Sequence, residues 1–162
     1  MRKLDQRDRA LLNALQTDAS ESLSAIAERV GLSQNAAWRR VKALEEDGII
    51  EGRYAKLSPD KLGLDLTVFV TIKTAQHTQD WLDIFAKGVA QLSEVVGFYR
   101  MSGDVDYLLK ILVADMDGYD RVYKKLISIA PLADVSSSFA MERIKDTGAV
   151  PLDDIPRGDN RF

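Results

Sequence analysis

The sequence lacks cysteine and contains a single histidine, His77. The absence of cysteine excludes disulfides, thiolate metal sites and a cysteine nucleophile, and a single imidazole argues against a zinc site or a histidine relay. Long apolar runs are also missing, since none approaches the roughly 18 residues that a membrane span needs. The charged start Met1-Arg2-Lys3 is not followed by the apolar core of a signal peptide. These absences predict a cytoplasmic protein without a membrane partner or a cofactor. They also argue against an enzyme, because cysteine and histidine are common catalytic side chains.

The composition that remains fits a globular protein of one medium domain or two small ones. The chain has 162 residues, of which 46% are hydrophobic and 29% are charged, and its formal net charge is −3. Residues 1–56 carry 10 basic and 9 acidic side chains, whereas residues 57–162 carry 12 basic and 16 acidic ones. The net charge does not indicate a nucleic-acid partner, so the local placement of basic residues decides that question.

Residues 30–44 predict the turn and second helix of a helix-turn-helix. Gly31 suits the sharp turn between two short helices, and Ser33 is the expected N-cap of a helix over residues 34–46. Three apolar residues at helical spacing are predicted to face the core: Ala37, Val41 and Leu44. Helix one, with its apolar stripe from Leu4 to Leu15, and helix two, capped by Ser22, complete a three-helix domain.

The opposite face of this second helix is rich in hydrogen-bond donors. The candidates for DNA contact, including one basic residue beyond the helix, are Ser33, Gln34, Asn35, Trp38, Arg39, Arg40, Lys42 and Arg53. Arginine can bind guanine through two hydrogen bonds, and asparagine or glutamine can bind adenine. The alternative is that Arg39, Lys42 and Arg53 are solvated surface charges and that Trp38 packs against helix one. The sequence thus predicts double-stranded DNA as a partner, read at half-sites about one helical turn apart or a multiple of it.

The period of the apolar residues changes after residue 64. Residues 49–57 are interpreted as a wing or linker strand, and Ser58 and Pro59 begin one helical turn. Alternating residues then predict strands at 66–72, 95–101, 107–113 and 135–142, with helices at 81–89 and 119–127. The order β-α-β-β-α-β predicts a ferredoxin-like unit within an α+β fold. Its open sheet face, with Phe69 and Tyr99, is expected to form a dimer.

The predicted organisation has four parts. They are a helix-turn-helix DNA-binding domain at 1–52, a linker at 53–63, a ferredoxin-like effector-binding and oligomerisation domain at 64–143, and a C-terminal tail at 144–162. The last stretch of that tail, residues 153–162, is polar and expected to be mobile.

Both halves of the chain resemble the leucine-responsive regulator and asparagine regulator family (Lrp/AsnC), the feast/famine regulators. The resemblance rests on Gly31-Leu32-Ser33, Arg39-Arg40-Val41 and Gly48-Ile49-Ile50, and on Gly103-Asp104-Val105-Asp106-Tyr107, which is similar to the family's Gly-Asp-x-Asp-Tyr signature. It implies a bacterial or archaeal transcription factor with a winged helix-turn-helix followed by an ACT-like ferredoxin-like domain. It also implies that the chain dimerises through its C-terminal sheet, that dimers assemble into octamers, and that an amino-acid effector binds between subunits.

The resemblance places the effector beside the loop that joins the predicted strands at 95–101 and 107–113. The candidate residues are Gly103, Asp104, Asp106, Tyr107, Ser136 and Ser138. A zwitterionic amino acid needs an acceptor for its ammonium group, which Asp104 or Asp106 can supply, and donors for its carboxylate, which backbone N–H groups beside Gly103 can supply. The alternative is that Gly103 and Asp104 only make the hairpin turn and that the serines form an exposed face.

Three other functions stay open at this stage. One is an enzyme like the siroheme decarboxylases of haem biosynthesis, for which the chain offers only His77. A second is a metal sensor in which a hard cation is held by Asp104, Asp106, Asp115 and Asp117, although their spacing fits no twelve-residue calcium loop. The third is an architectural DNA-binding protein that responds to no effector.

Overall fold

The computed structural model describes residues 3–155, which form two compact units. The first contains the described residues up to Lys56 together with those from Lys145 onward, and the second runs from Leu57 to Ile144. The helices and strands are α1 (Gln6–Thr17), α2 (Leu23–Arg29), α3 (Gln34–Glu46), β1 (Leu66–Lys73), α4 (Gln79–Val89), β2 (Val95–Arg100), β3 (Tyr107–Val113), α5 (Met116–Ile129) and β4 (Asp134–Phe139), with short 3₁₀ helices at Asp60–Leu62 and Leu152–Asp154.

The C-terminal segment differs from the sequence prediction. Residues 145–155 join the N-terminal unit instead of forming a separate tail, because Leu152 is buried against apolar side chains of the first helices. Asp153 and Asp154, predicted to be mobile, lie in the short 3₁₀ helix. The remainder of the predicted mobile stretch, residues 156–162, lies outside the described residues.

Polar caps set the starts of the three N-terminal helices. The Ser22 hydroxyl accepts a hydrogen bond from the Ala25 N–H, and the Ser33 hydroxyl accepts one from the Ala36 N–H, each at 3.2 Å. Both predicted caps are therefore confirmed. At α1, Asp5 accepts from the Asp8 N–H at 2.8 Å while the Asp8 carboxylate accepts from the Asp5 N–H at 3.3 Å, which makes a reciprocal capping box.

The predicted core face of α3 is confirmed. Ala37, Val41 and Leu44 are at most 3% exposed. The turn before this helix contains Gly31 at a φ of +67°, a conformation that residues with a Cβ rarely adopt. Arg7 of α1 donates to the Val30 carbonyl beside that glycine, so the first helix also holds the turn.

The acidic cap of α1 links the stability of the first unit to pH. Burial alone would raise the pKa of Asp5, but the Asp8 backbone N–H and the Arg40 guanidinium together hold this pKa below its ordinary value of 3.8. A carboxylate with a lowered pKa in the folded state stabilises the fold above its ordinary pKa, and that contribution is lost as the pH falls through the folded value.

We therefore expect Asp5→Asn, which keeps a cap acceptor but removes the charge, to lower the thermal unfolding midpoint at about pH 7. The difference from the wild type should shrink as the pH falls below about 4. Unfolding curves recorded from about pH 7 to pH 3 measure this difference. Glu28→Gln on the exposed side of α2 is the control, and an equal pH dependence in Asp5→Asn and wild type would contradict the assignment.

The segment 49–57 does not form the strand predicted for it. An isolated strand leaves its backbone N–H and C=O groups without partners, and no described strand of the first unit lies beside this segment. Ile50 packs against the helices instead, while Tyr54 and Leu57 are exposed. Residues 49–57 therefore form an irregular segment between α3 and the 3₁₀ helix at Asp60–Leu62.

The second unit is a four-stranded antiparallel sheet in the order β2-β3-β1-β4. Alternate residues of β1, namely Val68, Val70 and Ile72, are fully buried and share one core with side chains of α4 and α5. Both helices therefore cover the same face, as expected for a ferredoxin-like unit. The strand β4 ends at Phe139, three residues before the predicted end at residue 142, and Met141 lies beyond it and is exposed.

No helix among residues 3–155 has the length and apolar composition required to cross a membrane.

Candidate DNA-binding and effector sites

The outer face of α3 presents its polar residues to solvent. Gln34, Asn35, Arg39 and Lys42 are all exposed, and they lie away from the buried stripe of the helix. Three helices packed around one apolar core thus hold this face rigidly, which is the arrangement that a helix needs to enter a major groove.

Arg39 differs from its basic neighbours in its lack of a partner within the described part of the chain. No hydrogen bond or ion pair from residues 3–155 holds the Arg39 guanidinium. By contrast, Lys42 lies 3.9 Å from the Glu46 carboxylate, and Arg53 lies 2.8 Å from the Glu45 carboxylate. Arg39 is therefore the basic side chain of α3 whose donors are available to a ligand.

Trp38, for which the sequence left DNA contact and packing against helix one as alternatives, keeps much of its side chain open to solvent. Its side chain is 54% exposed, and the Lys42 ammonium lies 5.2 Å from the centre of its ring. This cation–π contact places an aromatic and a cationic group side by side at the edge of the polar face. Trp38 also lines a groove of about 380 Å³ together with Leu15 and Leu23.

The structure gives Arg40 a different role from the predicted DNA contact. Its guanidinium lies 2.7 Å from both the Asp5 and the Asp8 carboxylates, and Asp8 is buried. The two carboxylates raise the pKa of Arg40, against the opposing effect of burial, so the side chain remains a cation. Arg40 thereby ties α3 to the start of α1, a contact that spans 32 to 35 residues of sequence.

Two further DNA candidates have local partners. Ser33 uses its hydroxyl as the N-cap of α3, which leaves the hydroxyl proton free to be donated. Arg53 is paired with Glu45, so its contact with a phosphate would require it to exchange that partner.

The hairpin loop between β2 and β3 carries two of the effector candidates. Gly103 has a φ of +121°, and a Cβ built there would meet no atom within 4 Å. The chain at Gly103 is thus open to close approach by a ligand. Asp104 follows it and is exposed, so its carboxylate is accessible.

Asp106 and Tyr107 are placed differently from the prediction. The Asp106 carboxylate accepts from the Thr74 N–H at 2.8 Å, and its other oxygen lies 4.0 Å from His77 Nδ1. The Tyr107 ring is buried in an aromatic cluster, 5.6 Å from the rings of both Trp81 and Phe98. Asp106 therefore holds the end of β1, and Tyr107 belongs to the core because its position in β3 points towards the helices.

The serines of β4 divide between the two faces of the sheet. Ser136 and Ser138 are exposed and pair in register with Thr71 and Phe69 of β1. Ser137 faces inward and shares a hydrogen bond with the Tyr119 hydroxyl. The two predicted serines thus lie on the face that the helices leave open.

A metal site finds no support in the carboxylates proposed for it. Residues 3–155 contain no group of three or more histidine, cysteine, aspartate or glutamate side chains that could hold an ion. Asp115 serves instead as the N-cap of α5, where it accepts from the Gly118 N–H at 2.7 Å.

The sequence reasoning missed the contacts of the C-terminal segment with the first helices. The Arg9 guanidinium donates to the carbonyl of Leu152 at 2.7 Å, although the two residues are 143 positions apart. The available signal was a pair of apolar residues, Leu152 and Ile155, three positions apart in an otherwise polar stretch.

Comparisons with known proteins agree with this arrangement. A family model described as "Lrp/AsnC ligand binding domain" matches residues 67–150, and one described as "Winged helix-turn-helix DNA-binding" matches residues 4–51. The helix-turn-helix model thus matches the three-helix unit, and the ligand-binding model matches the sheet unit that follows it in the chain.

Relatives match over nearly the whole chain. The chain is 50% identical over 151 residues to the DNA-binding transcriptional activator DecR of Escherichia coli K12, covering 93% of this chain and 99% of that protein. An AsnC family transcriptional regulator from Agrobacterium tumefaciens superposes with a TM-score of 0.91 at 48% identity, covering 94% of this chain and all (100%) of that one. A transcriptional regulator from Neisseria meningitidis, solved as a complex with L-methionine, gives a TM-score of 0.87 at 33% identity over 93% of this chain and 97% of that one. The chain therefore belongs to the Lrp/AsnC family.

Proposed function

We propose that this protein is a sequence-specific DNA-binding transcriptional regulator that inserts α3 into the major groove. The observation that carries the proposal is the exposed Arg39, which no described residue pairs with, on the same outer face as Gln34 and Asn35. These three side chain types are the ones that read guanine and adenine edges. Lys42 and Arg53 then contact phosphates, and Trp38 contacts the backbone or a thymine methyl group at the edge of the helix.

The experiment that tests this function is selection of bound duplexes from a random-sequence pool by the intact protein. The expected result is an enriched motif with two half-sites about one helical turn apart or a multiple of it. Failure to enrich any motif, with binding equal on all duplexes, would contradict sequence-specific recognition.

We further propose that the second unit binds a small amino-acid effector between subunits. The description of the matching family model and the L-methionine complex of the Neisseria meningitidis protein support a ligand of this class. On this chain the accessible groups are the Asp104 carboxylate and the open backbone at Gly103, with Ser136 and Ser138 as further polar contacts. Asp106 and Tyr107 act behind them as supports of the loop and the core.

Asp104→Ala is expected to leave folding and basal DNA affinity nearly unchanged while abolishing the response to ligand, because an exposed carboxylate contributes little to the fold. The measurement is a thermal-shift screen against the twenty amino acids. A ligand at about 100 times its Kd stabilises the folded wild type by roughly 2.7 kcal/mol. Asp65→Ala, an exposed carboxylate outside the loop, is the control. An undiminished shift in Asp104→Ala would remove that residue from the site.

The same screen separates two alternatives. A wild-type protein that selects a DNA motif but is stabilised by none of the amino acids would favour an effector-independent architectural protein, or a ligand outside the set. An enzyme resembling the siroheme decarboxylases is not proposed, because the relatives are regulators with a DNA-binding domain. His77, the only histidine, is exposed and 4.0 Å from Asp106.

We propose a homodimer formed through the open face of the sheet, with octamers as the higher assembly. The support is an exposed set of large apolar side chains on β1 and β2, including Phe69 and Tyr99, that a lone sheet would leave in water. Sedimentation of the intact protein tests this assembly, and a monomer at micromolar concentration would overturn it.

A further inference from the structure

The segment from Lys145 to Ile155, the C-terminal strap, belongs to the first unit and lies against α1 and α3. Its one buried apolar side chain is Leu152, which is 6% exposed. Leu152 shares a cluster with Leu12 of α1 and Leu44 of α3, and Ile155 packs against the same cluster. The strap thus supplies part of the core of the first unit.

Polar contacts fix the backbone of the strap along α1. The Arg9 guanidinium donates to the carbonyls of Leu152 at 2.7 Å and Ile155 at 3.3 Å. The Gln16 amide makes two hydrogen bonds with Val150, donating to its carbonyl at 3.1 Å and accepting from its N–H at 2.9 Å. Arg9 and Gln16 lie two turns apart on α1 and bind different residues of the strap, so together they fix its register along the helix.

The buried end of the strap contacts the core-facing side of α3, opposite the polar outer face. Leu44 is fully buried and belongs to α3, the helix that carries Arg39 on its outer face. Protein interiors are close-packed, so a change in volume behind Leu44 displaces the helix that bears it. The position of the DNA-facing side chains therefore depends on what fills this cluster.

The chain passes between the two units twice, and the strap follows the second passage. It begins six residues after the end of β4, the strand that carries the candidate effector residue Ser138. Just before it, Arg143 lies 2.5 Å from the Asp60 carboxylate in the second unit, and at its start Lys56 donates to the Asp146 carbonyl in the first unit at 3.3 Å. Each of these contacts joins the two crossing segments within one unit.

We propose that the C-terminal strap positions α3 for DNA, with Leu152 as the positioning residue. Leu152 and Ile155 lie beyond the residues that either family model matches. The proposal rests on the proposed DNA-binding function. It assigns to the strap a contribution to affinity that is separate from its contribution to stability.

The test uses the full chain and a duplex that the wild type selects from a random pool. We expect Leu152→Ala to lower affinity for that duplex about tenfold, and affinity for an unrelated duplex much less, at a temperature where circular dichroism finds every variant folded. Leu152→Met, which conserves volume, should restore most of the affinity. Val150→Ala is the matched control, because the Val150 side chain is 57% exposed and only its backbone is bonded.

A second variant keeps the test decisive if Leu152→Ala does not fold. Arg9→Met removes the side-chain donors to the Leu152 and Ile155 carbonyls without opening the core, and we expect it to lower the affinity about threefold. Equal affinity of the folded Leu152 and Arg9 variants and wild type would overturn the proposal and leave the strap a stabilising element only. A wild type that selects no duplex would instead overturn the proposed function.

Discussion

Replacing Arg39 by alanine is expected to weaken binding to the selected duplex by roughly 1 to 3 kcal/mol for each base that the guanidinium reads, or about five- to 150-fold. The side chain is exposed and makes no hydrogen bond or ion pair within residues 3–155, so its removal should leave the three-helix unit as stable as before. The decrease should be concentrated on the selected sequence, because an arginine that reads a base edge adds discrimination as well as charge.

Titration of labelled duplexes with each variant, at one fixed salt concentration, measures this effect. Lys124→Ala on α5 of the second unit removes an exposed positive charge that pairs only with Asp120 among the described residues, and it serves as the control. An Arg39→Ala protein that retained its affinity for the selected duplex would place a different surface in the groove. A uniform decrease on all duplexes would make Arg39 a phosphate contact.

Phe85→Ala is expected to lower the free energy of unfolding of the second unit by about 3 to 5 kcal/mol. Phe85 belongs to α4, and its side chain is fully buried against the sheet. The centre of its ring lies 4.9 Å from that of Trp81, 5.7 Å from that of Phe98 and 6.0 Å from that of Tyr107. Truncation removes the transfer free energy of the ring and leaves a cavity that three other aromatic rings cannot close without moving.

Calorimetric unfolding of the full chain measures this change, since the two units are distinct compact bodies. Ile84→Ala, on the same helix but 58% exposed, is the matched control and should change stability by no more than about 0.5 kcal/mol. A decrease below about 1 kcal/mol for Phe85→Ala would mean that the aromatic cluster is not the centre of the core. The Tyr107 ring belongs to the same cluster and is only 5% exposed.

Local patterns predicted the helices and strands well because their causes are local. Ser22 and Ser33 cap helices through bonds to residues three positions away, and the buried stripe Ala37, Val41 and Leu44 follows from 3.6 residues per turn. The alternation in β1 likewise follows from the pleat of a strand. The predicted strand at 49–57 is wrong for the opposite reason, because a strand requires a neighbour that the sequence of this segment does not contain.

The sequence by itself determined the two-part architecture and the donor-rich outer face of α3. These depend on residue types and on spacings of four residues or fewer. Tertiary structure alone decided which basic side chain is available to a ligand: within residues 3–155, Arg40 is held by Asp5 and Asp8, whereas its neighbour Arg39 is not held. Tertiary structure also brought Leu152 into contact with the core-facing side of α3. Both depend on contacts between residues more than thirty positions apart, where the folded chain, and no local preference, sets the distance.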